Sequence, residues 1–196
     1  MHISEGVLRP EILIAGALIS AAVTIYALKV IKNDDIPKVS TFSALFFLAS
    51  FIHIPLGVTS VHLILSGIVG AVLGVRAFVA IFVALLLQGL LFGYGGVTTL
   101  GVNLFVLATP ALLGSWLFKL HCSKMWLKNT LWFCVGFAPV AFGTLLLSTV
   151  LALNGSGFII AAKIAFVAHI PVMMIEGIIT LLALRFIEKV KPSFLG

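Results

Sequence analysis

The sequence predicts an all-α, polytopic integral membrane protein, a helical bundle of about seven transmembrane helices. Of its 196 residues, 62% are hydrophobic and 9% are charged, whereas about 25% of the residues in an ordinary soluble domain are charged. At about 20 residues per spanning helix, this apolar content supplies six or seven spans. The composition excludes a soluble domain, because so few polar side chains cannot cover a globular surface. It excludes a disordered chain for the same reason.

Seven apolar segments follow one another along a single domain, residues 1–196. They cover residues 12–31, 39–54, 61–75, 77–92, 100–120, 131–153 and 161–187. Turn-forming residues interrupt them at Asn33–Asp35, Pro55–Gly57, Gly93–Gly96 and Asn154–Gly157. The second to fourth segments are short, so we expect them to cross the bilayer incompletely or to lie in a thinned or protein-lined region. Residues 12–187 are the predicted bundle, between an N-terminal segment (1–11) and a cytoplasmic tail (188–196).

The basic residues predict the orientation. With the N-terminus outside, ten of the twelve fall on the cytoplasmic side, as the positive-inside rule requires. These ten are Lys29, Lys32, Lys38, Arg76, Lys119, Lys124, Lys128, Arg185, Lys189 and Lys191. We therefore predict an odd number of spans with the N-terminus outside and the C-terminus cytoplasmic. The net charge of +6 does not indicate a nucleic-acid partner, because the basic residues are spread between apolar runs.

The first segment is expected to remain in the mature protein. Its apolar stretch is longer than a signal-peptide core, Met1–Gly6 carries no positive charge, and no cleavage site follows the stretch. Because His2 is large, we expect Met1 to be retained with a free amine. Cys122 and Cys134 form neither a disulfide framework nor a metal-thiolate spacing.

A free Met1-His2 terminus is a candidate metal chelator. The amine of Met1, the main-chain nitrogen of His2 and its imidazole Nδ1 close a five-membered and a six-membered ring around one ion. Three nitrogens then lie in a plane, an arrangement that suits Ni²⁺ or Cu²⁺ and differs from the tetrahedral zinc site. His62 is the best candidate for the fourth nitrogen. Metal binding is expected to depend on pH, because these donors bind in their deprotonated forms.

Other polar residues in the apolar segments have both a functional and a structural interpretation. His62, Ser66, Gly70 and Gly74 share one face of the third predicted helix, where small residues permit close helix packing. His53 and Ser60 flank the turn before it and are candidates for orienting a ligand. Asn103, and the pair His169 and Glu176 on one face of the last helix, are pathway candidates. In the structural interpretation, each forms hydrogen bonds to a neighbour or to the main chain.

Four stretches, spread over the chain in order, resemble a known family. They are Met1–Gly6 (MHISEG), Ser60–Leu63 (SVHL), Gln88–Asn103 (QGLLFGYGGVTTLGVN) and His169–Gly177 (HIPVMMIEG). Together they are similar to the CbiM/NikM family, the substrate-binding membrane components of energy-coupling-factor (ECF) cobalt and nickel importers. The resemblance implies a non-enzymatic subunit of the cytoplasmic membrane that holds the metal through the Met1 amine, His2 and His62. It leaves nickel and cobalt equally open.

The resemblance also implies partners. These are a transmembrane coupling (T) subunit and cytoplasmic ATPase subunits, in addition to membrane lipid. Any small accessory membrane protein would be encoded separately, because the chain has no such fused region. No permanently bound cofactor is implied, since Ni²⁺ or Co²⁺ is the transported substrate.

A haem-binding membrane electron-transfer subunit is the alternative, with His53 and His169 as axial ligands. It gives the free Met1-His2 terminus no purpose.

The glycine-rich Gly93–Gly96 is not a phosphate loop, because no Gly-Lys-Ser/Thr follows it. We expect it to form a tight turn at the outer mouth of the bundle.

Overall fold

Seven α-helices and one short β-hairpin form the described part of the chain. The computed structural model describes residues 2–51, 53–56, 59–120 and 122–195, and only the main chain of 53–56 and 59–61. The helices are α1 (Pro10–Val30), α2 (Ile36–Ala49), α3 (Ser66–Leu73), α4 (Ala77–Phe92), α5 (Leu100–Phe118), α6 (Met125–Leu153) and α7 (Ile159–Val190). The hairpin pairs β1 (His53–Leu56) with β2 (Thr59–His62) in antiparallel fashion. The predicted helical bundle is confirmed, with the hairpin as its one departure among the described residues.

Not every helix is long enough to cross a membrane. Within the described residues, five stretches are sufficiently long and apolar: α1, the run Ser66–Phe92 that joins α3 to α4, α5, α6, and Ser156–Val190. Helix α2 has 14 residues and α3 has eight, against about 20 for a full span. The expectation that the second and third apolar segments are too short to span independently agrees with these lengths.

The prediction that His62 begins the third helix is wrong. His62 is the last residue of β2, and α3 begins at Ser66. The main-chain N–H groups of Ile64 and Leu65 donate to the Glu176 carboxylate and not to carbonyl groups of a helical turn. Leu65 adopts a left-handed conformation with φ of 55°, which interrupts a right-handed helix. The second predicted apolar segment, residues 39–54, is also not one continuous helix, since α2 ends at Ala49 and residues 53–56 form β1.

Helix α3 lies in the interior of the bundle because its glycines allow main chains to approach closely. A Cβ atom at Gly67 would overlap the carbonyl oxygen of Val135 in α6, and one at Gly70 would overlap that of Ala111 in α5. The predicted small-residue seam thus includes Gly70, while the unpredicted Gly67 forms the contact with α6. Gly74 lies just beyond α3, with φ of 60°. Close contacts of this kind replace the hydrophobic effect in helix packing within membranes.

Charged residues predicted to be cytoplasmic gather at one end of the bundle. Asp35 at the start of α2 pairs with Arg76 before α4, at 3.1 Å. At the start of α6, Lys128 pairs with Glu188 near the end of α7. The chain after α7 folds back, and the ring of Phe194 packs against Phe42 of α2. The clustering agrees with the positive-inside pattern, while the assignment of this end to the cytoplasm stays a prediction.

Candidate metal centre

Residues 2–9 of the N-terminal segment insert into the opposite end of the bundle. His2 is 5% exposed and Ile3 is fully buried. The side chain of Asn103 in α5 pairs with both main-chain groups of Ile3. Its Oδ1 accepts from the Ile3 N–H at 2.8 Å, and its Nδ2 donates to the Ile3 carbonyl at 3.1 Å. A single amide thus satisfies the main chain next to His2 as a neighbouring β-strand would, and α5 thereby fixes the position of His2.

Two further attachments hold the rest of this segment. The Glu5 carboxylate accepts from the main-chain N–H of Thr98 at 3.3 Å and from its hydroxyl group. At the C-terminal end of α6, Asn154 accepts from the Arg9 N–H and donates to the Val7 carbonyl, both at 2.8 Å. Sequence reasoning missed these attachments and assigned Asn154 only to a turn. In the sequence, these attachments are indicated only by polar side chains, such as that of Asn154, at the ends of long apolar segments.

The glycine-rich turn after α4 closes over the N-terminal segment, as its expected position at the mouth of the bundle suggests. Gly95 has φ of 80°, and a Cβ atom there would lie 2.8 Å from Nδ2 of Asn103 and 3.7 Å from the His2 Cβ. A Cβ atom at Gly96 would overlap the Glu5 carboxylate. Gly95 is restricted by its positive φ and by the Asn103 side chain, whereas at Gly96 the Glu5 side chain of the segment occupies the space that a Cβ atom would need.

The structure brings His2 and His62 into direct contact. Their imidazole rings stack with centroids 4.6 Å apart and an angle of 22° between the planes, and His62 is only 3% exposed. The Nδ1 atom of His62 lies 2.6 Å from the Leu63 carbonyl oxygen, which accepts only from a protonated nitrogen. Nδ1 is therefore the donor, which leaves the lone pair on Nε2. Nε2 has no hydrogen-bond partner among the described residues.

Burial also keeps His62 neutral. This residue lies outside the candidate spans, and removal from water lowers the pKa of its imidazole well below the ordinary value, with the nearby His2 acting in the same direction. A protonated ring stacked on a second imidazole would be disfavoured in such a site. The His62 side chain is therefore already in the form that a metal ion binds.

Glu176 holds the turn that follows His62. The carboxylate is fully buried and accepts from the main-chain N–H groups of Ile64 and Leu65, the latter at 2.9 and 3.0 Å. The left-handed conformation of Leu65 costs about 1 to 2 kcal/mol for an L-residue. The hydrogen bonds that this carboxyl group accepts offset this cost, since each contributes about 0.5 to 1.5 kcal/mol net.

The structure describes the surroundings of some of the remaining candidate residues and only the main chain of others. His169 is fully buried, and its Nδ1 donates to the Ala165 carbonyl at 2.7 Å. His169 and Glu176 thus each bond to main-chain groups, as the structural interpretation allows. The main chain of His53 is the register partner of His62, and that of Ser60 faces Pro55, but their side chains lie outside the description. Met1, with its amine, lies outside the described residues.

This arrangement can supply nitrogen ligands but not a conventional cage of side chains. Within the described ranges, no three His, Cys, Asp or Glu side chains come together around a common point. The donors available near the two stacked rings are imidazole and main-chain nitrogens. Such a donor set fits ions that accept planar nitrogen coordination.

Comparison with known proteins identifies the family. Residues 2–194 match the family model CbiM, described as "Cobalt uptake substrate-specific transmembrane region". A Haemophilus influenzae protein whose name describes metal transport is 39% identical over 200 residues, covering 100% of this chain and 97% of that protein. A Lactiplantibacillus plantarum protein named as a fused nickel transport protein, LarMN, is 27% identical over 98% of this chain and 66% of its own length.

A solved structure confirms the fold. A crystal structure described as that of a transition metal transporter superimposes with a TM-score of 0.82, at 24% identity, over 97% of this chain and 93% of its own. None of these matches supports the haem-binding alternative. With a family model matched over almost its whole length, this chain belongs to the CbiM family of cobalt uptake transmembrane proteins.

Proposed function

We propose that this chain is the substrate-binding subunit of an ATP-driven ECF-type importer, and that it binds Ni²⁺ or Co²⁺ through the Met1 amine, the main-chain nitrogen and imidazole of His2, and the imidazole of His62. One observation carries the proposal: the stacked, buried pair of His2 and His62. Two imidazoles from distant parts of the chain are held together at the point where the N-terminal segment enters the bundle. In the proposed site, the main-chain nitrogen of His2 and the amine of Met1, which precedes it in the sequence, would complete a four-nitrogen set.

The attachment of the segment suggests how the ion is released. Residues 2–9 continue directly into the bundle at their C-terminal end, where Arg9 precedes α1. In addition, they are held by side-chain hydrogen bonds from α5 and α6. A movement of these helices would draw His2 away from His62 and break the coordination. We propose that a transmembrane coupling subunit and cytoplasmic ATPase subunits drive this movement in the cytoplasmic membrane, with the metal entering from outside.

Binding of ⁶³Ni and ⁵⁷Co to the purified chain tests the ligand set. His62→Ala should abolish high-affinity binding. His121→Ala, which replaces a histidine that lies outside the described residues and between the basic residues Lys119 and Lys124 in the sequence, should leave it unchanged. A short extension before Met1 should also abolish binding, because it removes the terminal amine. The same extension after Gly196 is the control. Unchanged binding in His62→Ala or in the N-terminally extended chain would contradict the proposed coordination.

Uptake into cells tests the transport step separately. Cells producing this chain together with coupling and ATPase subunits should accumulate ⁶³Ni or ⁵⁷Co. Cells producing it with an ATPase subunit unable to hydrolyse ATP should not. Equal uptake in both would refute ATP-driven import but leave the metal site intact.

A further inference from the structure

The four proposed nitrogen ligands give no reason for a buried glutamate at position 176. Glu176 is fully buried in α7, and it forms no ion pair with any Lys, Arg or His among the described residues. Its only hydrogen bonds there are those from the main chain of Ile64 and Leu65. A carboxylate removed from water in a membrane bundle is costly, so its presence indicates a specific task at this turn.

The hydrogen bonds connect Glu176 to His62 through three consecutive residues. Glu176 fixes the N–H groups of Ile64 and Leu65, and the carbonyl of the preceding Leu63 accepts from Nδ1 of His62. That last bond orients the ring and leaves the lone pair on Nε2. Leu65 is the only non-glycine residue with positive φ in the described part of the chain, so the turn depends on an external partner to hold it.

We propose that Glu176 is a positioning residue for the metal site, which sets the orientation of the His62 imidazole through the Leu63–Leu65 turn. The inference rests on the proposed function, because it assigns a role relative to the fourth nitrogen ligand. The carboxylate acts by geometry: two N–H groups converge on it from a turn that contains no regular helical hydrogen bonds. Residues that orient a metal ligand affect metal affinity about 10- to 100-fold when they are replaced.

Two substitutions of Glu176 separate the effect of side-chain length from the effect of the ionisable group. Glu176→Asp keeps the negative charge but shortens the side chain by one methylene group, so that the carboxylate no longer reaches both N–H groups. Glu176→Gln keeps the length and one acceptor oxygen but removes the charge. Positioning predicts a loss of affinity in both variants, with Asp at least as damaging as Gln. A role through charge alone predicts that Asp behaves as the wild type.

The measurement is the electron paramagnetic resonance spectrum of bound Cu²⁺, used as a probe because nitrogen ligands split its signal, together with Ni²⁺ affinity by equilibrium dialysis. Wild type should show four nitrogens, and His62→Ala should show three. Glu176→Asp should lose about 10- to 100-fold in Ni²⁺ affinity and shift toward the three-nitrogen spectrum. Thr180→Val is the matched control, because Thr180 is a buried residue one turn further along α7, and it should keep four nitrogens.

The outcomes distinguish the two proposals. If wild type and His62→Ala give the same spectrum and affinity, the proposed ligand set fails. If these two differ while both Glu176 variants match the wild type, the ligand set stands and the positioning role is refuted. If one Glu176 variant is not monodisperse in detergent, the other decides. Misfolding of both variants, with Thr180→Val folded, would assign Glu176 to the fold and also overturn the positioning role.

Discussion

Replacing Asn103 by Ala should undock the N-terminal segment from the bundle. The Asn103 amide is the hydrogen-bond partner of both main-chain groups of Ile3. Ile3 is fully buried, so water does not readily replace the lost amide. Each buried group left without a partner costs about 1 to 3 kcal/mol. The docked state should therefore lose about 2 to 6 kcal/mol relative to the undocked state.

This loss appears as weaker metal binding, because only the docked segment brings His2 beside His62. A change of about 1.4 kcal/mol corresponds to a factor of ten in an equilibrium constant. The apparent affinity falls in proportion to the fraction of molecules that remain competent to bind. We expect the Kd of Asn103→Ala for Ni²⁺ to rise at least tenfold, as measured by isothermal titration calorimetry on the purified chain in detergent.

Asn129→Ala provides the matched control. Asn129 accepts a hydrogen bond from Arg185 at 2.8 Å, near the opposite end of the bundle, so its loss should leave the Kd for Ni²⁺ unchanged. Thermal melting of both variants identifies any general loss of folding. If Asn103→Ala binds Ni²⁺ within twofold of the wild type, the docked N-terminal segment does not determine the affinity, and the reasoning from the Ile3 hydrogen bonds is refuted.

Three further predictions concern the turn over the segment, the bundle interior and pH. Gly96→Ala should weaken Ni²⁺ binding about tenfold in calorimetry, because the added Cβ displaces Glu5. Gly157→Ala is the control, because a Cβ atom at Gly157 has no other atom within 4 Å. Equal Ni²⁺ affinity in the two variants would contradict the closing role of the glycine-rich turn. Gly70→Ala should destabilise the bundle by about 1 to 3 kcal/mol or more, since its Cβ overlaps the main chain of α5; a melting temperature equal to that of Gly157→Ala would contradict the close packing of α3. Ni²⁺ affinity should fall when the pH is lowered from about 8 to about 6, because the proposed amine and main-chain nitrogen ligands bind in their deprotonated forms, whereas burial lowers the pKa of His62 and keeps it neutral. A flat profile in equilibrium dialysis would exclude the amine as a ligand.

Part of the candidate site was predictable because it depends on covalent structure. The chelate rings of the Met1-His2 terminus follow from the order of atoms in the chain, so His2 is identified without any fold. His62 is the best candidate for the fourth nitrogen because the chelate leaves one position vacant, and Ser60–Leu63 also resembles a family motif. The structure places the His62 ring against His2. The coordination itself stays a prediction, since no measurement of metal binding bears on it.

The path of the chain around His62 was not predictable. Residues 61–75 are almost uniformly apolar, and such a run does not by itself distinguish a buried strand from a helix. The choice is made by Glu176, more than 100 positions away, whose carboxylate binds the N–H groups of Ile64 and Leu65. Local sequence patterns contain no information about a hydrogen-bond partner at that distance.

The sequence by itself determined the class of this protein. Apolar content, the spacing of turns and the distribution of basic residues are sums over many positions, so they predict a membrane bundle even where individual boundaries are wrong. Only the tertiary structure decided which polar residues meet. Asn103 binds Ile3, Asn154 binds both Val7 and Arg9, and Glu176 holds the turn after His62. Each of these contacts arises because a buried polar group in an apolar bundle must find a partner, and helix packing determines which partner lies within reach.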